Sequence, residues 1–301
     1  MPAMTSPASR DVTGMALVFV AGVLWSTVGL GIRMIDEAVV WQILLYRSLG
    51  LALLLYIVIR LRSGTGPLAA ARRAGLPGLV GALALVAAYT GAIYAIQHTS
   101  VANAMLLFAS SPLLAAFLAR VLLGERVRGA TWVAMAVGGC GIAVMVWDKS
   151  GTSAWGGNLA ALGSALGFAS FTVALRWGRS GEMMPAVFLS GLLAVGITTL
   201  MCLATGLPLV LTPNDASVAL GMGVIQVGAG LVLYTIGSKT VPAVELTILS
   251  MAEVLLGPVW VWLFLGETAT FYTLAGGAIL LAAIIGNALS GARRKPPPIA
   301  P

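Results

Sequence analysis

Ten stretches of this chain are each long and apolar enough to cross a lipid bilayer, and the second five echo the first five. A helix needs about 20 apolar residues to cross the hydrocarbon core, where no water can satisfy an exposed backbone group. The spans are read at 12–32, 38–59, 75–97, 100–120, 129–147, 155–175, 184–206, 215–238, 242–265 and 269–290. They fill the chain, so an all-α polytopic membrane protein is expected, with no separate soluble domain. The chain is 59% hydrophobic and only 9% charged, whereas soluble domains carry about a quarter charged residues. So few charges could not cover a water-soluble surface.

The net charge of +7 would suit a nucleic-acid partner, but the placement of the basic residues argues against one. Fourteen of the 17 Lys and Arg sit at one set of span ends: Arg10, Arg60, Arg62, Arg72, Arg73, Arg120, Arg126, Arg128, Arg176, Arg179, Lys239, Arg293, Arg294 and Lys295. Arg33 and Lys149 lie at the opposite ends, and Arg47 lies inside span two. Lys and Arg gather in cytoplasmic loops. Both termini are therefore expected in the cytoplasm, with the chain in the plasma membrane, a bacterial inner membrane in the first instance. Cys140 and Cys202 fall inside spans without a metal-type cluster and read as small packing residues. No metal or cofactor is expected. The first apolar run is too long for a signal peptide, and Arg33, Asp36 and Glu37 follow it instead of a small-residue cleavage site. The first dozen residues and the basic, proline-rich tail read as disordered.

A shift of 142 residues places Leu123-Gly124-Glu125 on Leu265-Gly266-Glu267. Ala102, Leu106 and Leu107 then meet Val244, Ile248 and Leu249. Two units follow, 1–148 and 149–301, together one integral membrane unit. Each holds five spans, and an odd number obliges the second to enter from the opposite side. Inverted five-helix repeats are the architecture of many secondary transporters.

The same residues carry a family resemblance. Ser110-Ser111-Pro112-Leu113-Leu114 followed by Leu122-Leu123-Gly124-Glu125-Arg126 resembles the end of an EamA-type unit of the drug/metabolite transporter superfamily. Glu253 with Leu265-Gly266-Glu267-Thr268 resembles a second copy, and Arg47 resembles an arginine often seen in the second span of the first unit. Two departures stand out: Val254 follows Glu253 where a proline is usual, and the second unit has no match for Arg47. The resemblance implies a ten-span exporter of amino acids, drugs, nucleobases or other metabolites. At a finer level the chain is similar to YddG-type exporters of aromatic amino acids.

A carrier needs a polar site near the bilayer midplane, walled by packed helices. In span four, Asn103, Ser110 and Ser111 share one side, and Pro112 denies the carbonyl of Phe108 its helical donor. In span nine, Thr247, Ser250 and Glu253 form a similar stripe, and Pro258 frees the carbonyl of Val254. The two stripes are expected to face each other. Single serines and threonines also bond readily to their own helix. Ser164 on span six and Gln226 on span eight add polar groups at depth. Trp25, Tyr89, Phe108, Phe168 and Tyr234 lie deep enough to stack on a flat substrate. Trp41, Trp147, Trp155, Trp177, Phe271 and Tyr272 lie at span ends and suit interfacial belts.

Charge within hydrocarbon is costly and usually paired or functional. Arg47, Glu245 and the loop residue His98 are candidates for coupling or gating, with Arg47 and Glu245 equally suited to structural roles. Mid-span Glu253 suits either a substrate ammonium or proton, or bracing of the helix break. Glycine pairs such as Gly163 and Gly167, Gly138, Gly139 and Gly141, and Gly276 and Gly277 suit rocking bundles, static packing or a homodimer. The partners implied are a small-molecule substrate and the lipid bilayer. The chain has no phosphate-binding loop, no GxSxG and no HExxH. An enzyme is therefore not expected; a channel or a lipid-modifying enzyme is the rival class.

Overall fold

The computed structural model describes residues 12–63, 66–147, 155–178 and 183–292. Every regular element among them is helical. The ten predicted spans all appear: Val12–Arg33, Val40–Arg62, Gly75–His98, Val101–Leu123, Gly129–Trp147, Trp155–Trp177, Met184–Ala204, Pro213–Gly237, Ile248–Leu265 and Phe271–Gly291. Arg10, Lys149, Arg179 and the tail from Arg293 lie outside the described residues, as does the side chain of Thr247.

Span five pairs with its repeat partner, span ten, in antiparallel fashion. Gly138 packs against Leu280, Gly141 against the carbonyl of Gly276, and Arg128 reaches Asn287. The two halves are thus inverted. Spans three and six also run antiparallel, with Gly81 against Phe171, Gly91 against Ala160 and Gly157 against His98. Span one lies parallel to span nine, Gly22 touching Ala252 and Ser26 bonding to Trp260. The largest fully buried side chains include Ile43, Leu44, Leu85, Met105, Leu107, Phe171 and Phe188.

Gly276 and Gly277 are both closely packed, but in the other glycine groups one member faces open space. A Cβ at Gly167 would press on the Ala84 carbonyl at 2.8 Å, whereas Gly163 faces open space. Gly139 is open in the same way, while Gly138 and Gly141 are packed. A four-residue spacing keeps two glycines on one helix face, but only the first-named contact finds a neighbour along span three.

Three spans depart from a simple helix. Span one is interrupted at Thr27, where Ser26 and Thr27 donate to the carbonyls of Val23 and Leu24 at 2.6 and 2.7 Å. Such local bonds compete with the helical ladder. Span four breaks at Ala109-Ser110, just before Pro112, with Ser110 donating to Leu107 at 2.7 Å. Span eight widens into a π-helix over Met222–Ala229. Glycines 221, 223, 228 and 230 flank and interrupt this stretch, each costing about 1 kcal/mol of helix preference relative to alanine. Span nine stays one helix, Ala243–Leu265, through Pro258. One further helix, Pro67–Arg73, has no counterpart among the predicted spans. Gly66 is extended before it, and the fixed φ of Pro67 suits a first helical turn.

The Leu-Gly-Glu motifs have matching geometry. Gly124 and Gly266 both end their helices in the left-handed region, at φ 68° with ψ 13° and 12°. Glu125 N–H then donates to Ala119 at 3.3 Å, and Glu267 N–H to Val261 at 3.2 Å. A glycine there costs no Cβ clash.

Candidate functional site

The break in span one brings Trp25, Ser26 and Thr27 between spans eight and nine. The Trp25 ring lies 5.3 Å from that of Tyr234, tilted by 40°. Ser250 of span nine lies beside the Tyr234 hydroxyl and donates to the Leu246 carbonyl at 2.8 Å. Trp260 Nε1 donates to Ser26 Oγ at 2.7 Å. Gln226 sits on the π-helical turn, a kind of irregularity frequent at functional sites. Its amide donates to the Trp25 carbonyl and to Thr27 Oγ1, both at 3.4 Å. Its Oε1 is buried without a hydrogen-bond partner. Gln226 and Tyr234 therefore hold the two ends of one residue, Trp25.

Arg47 enters the same region from span two. A Cβ at Gly223 would collide with the Arg47 carbonyl, so the wide turn of span eight can rest against span two only because residue 223 is glycine. The Arg47 residue is 7% exposed. Its guanidinium carbon stands 4.9 Å from the centre of the Tyr89 ring, a cation–π distance. Its Nη1 is buried and has no hydrogen-bond partner. Glu253 on span nine is close enough for its charge to couple to Arg47. Among the described residues the ion pairs within 4.0 Å are Arg33–Glu267 and Arg176–Glu125, and neither involves Arg47 or Glu253. The centre therefore holds a cation and a carboxylate that feel each other without touching, together with three aromatic rings and a buried amide.

The other predicted residues go elsewhere. Asn103 is buried and donates to Thr99 Oγ1 and to Asn158 on span six. Ser110 is spent on its own helix. The crossing of spans four and nine is made by Met105 against Gly257 rather than by the two polar stripes. Phe108 packs at the edge of the apolar core, and Ser111 is half-buried. Ser164 lies in the tight seam with Gly91 of span three. Phe168 is 45% exposed, its ring 6.0 Å from that of Phe171 and tilted by 52°. Glu245 sits in the first turn after Pro242 and is half-buried. His98 stacks on Tyr94 at 3.9 Å and its Nδ1 lies 2.8 Å from the Tyr94 carbonyl. His98, Tyr94, Trp41 and Gln97 line a lateral cavity of about 510 Å³. A second cavity of about 500 Å³ lies between spans five and ten. Arg47, Gln226 and Glu253 line neither one.

One buried carboxylate that joins the halves is not foreseen from the sequence. Asp215, fully buried at the start of span eight, accepts from the backbone N–H groups of Asp36, Glu37 and Ala38 at 3.0, 3.1 and 2.9 Å. It thereby ties the first loop of one half to the other half. Thr212-Pro213-Asn214-Asp215 carries the available signal: Thr212 caps the helix, accepting from Asp215 N–H at 3.2 Å, and proline follows it. On the same, arginine-poor face, Gln42 donates to the Pro208 carbonyl, Asn214 to that of Met34, and Val101 N–H to Glu267. Among the described residues, the side-chain ties between the halves on the arginine-rich face are chiefly Arg176–Glu125 and Arg128–Asn287.

The sequence profile of the EamA-like transporter family matches residues 12–147 and again 155–289, five spans in each. A protein of Archaeoglobus fulgidus described as an uncharacterized transporter is 30% identical over 196 residues, covering 64% of this chain and 69% of that one. A solved crystal structure superposes with a TM-score of 0.64 at 20% identity, over 95% of this chain and 99% of the other. Identity that low speaks for the fold alone.

Proposed function

Because this chain belongs to the EamA-like transporter family, we propose that it is a secondary carrier that exports small organic metabolites, foremost amino acids with aromatic or hydrophobic side chains, by alternating access. The observation that carries this reading is the central cluster: Trp25, Tyr89 and Tyr234 offer flat apolar contact, while Arg47 and Glu253 offer opposite charges that do not neutralise each other by contact. An α-amino acid presents the complementary pair of charges beside an apolar side chain. The many ties on the arginine-poor face support a conformation closed there, with the arginine-rich face the one that opens. Positive loops face the cytoplasm, so that state would load substrate from inside the cell. Both chain termini would then be cytoplasmic.

The test is counterflow in proteoliposomes with a panel of amino acids and flat organic cations. Saturable exchange of tryptophan or phenylalanine, with KM raised about tenfold in Trp25→Ala, is the expected result. If neither amino acid moves nor competes, the amino acid reading fails and a different metabolite class takes its place. Non-saturable flux would instead point to a channel.

A further inference from the structure

We infer that Arg47 is the recognition residue for a carboxylate on the transported substrate; this rests on the carrier reading above and names the chemistry that its central site selects. The argument is one of compensation. A guanidinium is never neutral in a protein, and a buried charge needs a partner. Three other charged side chains that join the halves obey this rule. Asp215 is fully buried and satisfied by three backbone N–H groups. Arg33 spends Nε on Glu267 and Nη2 on the Thr99 carbonyl. Arg128 bonds to both oxygens of Asn287. Arg47 is more buried than either of those arginines, yet its Nη1 bonds to nothing and its neighbour is the face of Tyr89.

A ring face screens one side of the cation and leaves its in-plane N–H groups free. Those are the groups that bind a carboxylate, and the planar fork suits it better than an ammonium would. Glu253 adds the second half of the argument. It is near enough to couple to Arg47 but forms no ion pair with it. An internal pair built only for stability would close to contact. Two opposite charges that do not pair with each other match a ligand bearing a carboxylate at one end and a cation at the other. Gln226 Oε1, also buried and unpartnered, supplies an acceptor for a ligand N–H at the same crossing of helices, since its turn rests on the Arg47 backbone through Gly223.

The experiment compares compounds that differ only at the carboxylate, using the purified full chain. In counterflow, the wild type is expected to prefer tryptophan over tryptophanamide and tryptamine by about tenfold or more in KM, the worth of a charge-assisted hydrogen bond. Arg47→Gln is expected to remove that preference by raising KM for tryptophan far more than for tryptamine, and Arg47→Lys to restore part of it. Equal handling of tryptophan and its amide by the wild type overturns the inference, and this arm needs no folded variant. So does an Arg47→Gln protein that loses both compounds in equal measure. If no amino acid is carried at all, thermal stabilisation by indole-3-acetate and phenylpyruvate against their amides still decides. Stabilisation that depends on Arg47 supports a carboxylate subsite for a different acid, and stabilisation by none of them rejects it.

Discussion

Arg33 and Glu267 meet across the two halves of the molecule, Nε to Oε2, at 3.0 Å. Arg176 and Glu125 meet at the same distance near the opposite membrane face. Each glutamate follows a left-handed glycine that ends a span, and each arginine closes the first span of the other half. The inverted repeat has thus produced one latch at either end. The two are unequal in their surroundings. Arg33 and Glu267 side chains are 29% and 23% exposed, against 51% and 44% for Arg176 and Glu125.

That difference sets the first prediction. A double-mutant cycle with Arg33→Gln and Glu267→Gln should give a coupling energy of about 1 kcal/mol in reversible denaturation, near the upper end for a partly exposed pair. The cycle with Arg176→Gln and Glu125→Gln should give about 0.3 kcal/mol, because solvent screens that pair more fully. Equal couplings would show that burial does not distinguish the latches.

Asp215 should matter more than either latch. Asp215→Ala leaves three backbone N–H groups without their acceptor, and the expected cost is roughly 2–4 kcal/mol. Asp36→Ala removes a carboxylate whose partner is the exposed Asn214 and should cost less than about 1 kcal/mol. The midpoints of denaturation of the two variants check the ranking.

Gly167 and Gly163 offer a paired test of helix packing. Gly167→Ala places a Cβ 2.8 Å from the Ala84 carbonyl and should destabilise by about 1–3 kcal/mol. Gly163→Ala meets open space and should be neutral or gain up to about 1 kcal/mol from helix preference. Thermal melts in one detergent suffice, and the same loss in both would refute the seam described for spans three and six.

The aromatics divide in the same way. Trp25→Ala removes the ring that Tyr234 packs on and should raise KM in counterflow by about tenfold. Phe168→Ala, at an exposed position, should change KM by less than about twofold. A Phe168 effect as large as that of Trp25 would move the site toward span six.

What could be read from the chain is what is written locally. Span positions follow from runs of apolar residues, and the inverted repeat follows from Leu-Gly-Glu recurring after 142 residues. Arg47 and Glu253 stand out because charge within a span is rare. The partners of these residues could not be read. Nothing near Asp215 in sequence announces that its acceptors serve residues 36–38, and nothing near Gln226 announces that the helix widens there. The glycine spacing of span six suggested a seam of two residues, but contact depends on where span three runs. Serines on spans four and nine looked like a binding stripe, whereas Ser110 and Ser250 bond to their own helices, an option every helical serine has.

The crossed latches carry a consequence for any attempt to divide this protein. Each half owns the acidic tooth for one face and the basic catch for the other, so neither half can fasten a membrane face by itself. A five-span fragment could rebuild both fastenings only by meeting a second fragment inserted upside down, and co-expression of the two halves should therefore succeed where either alone leaves both ends undone.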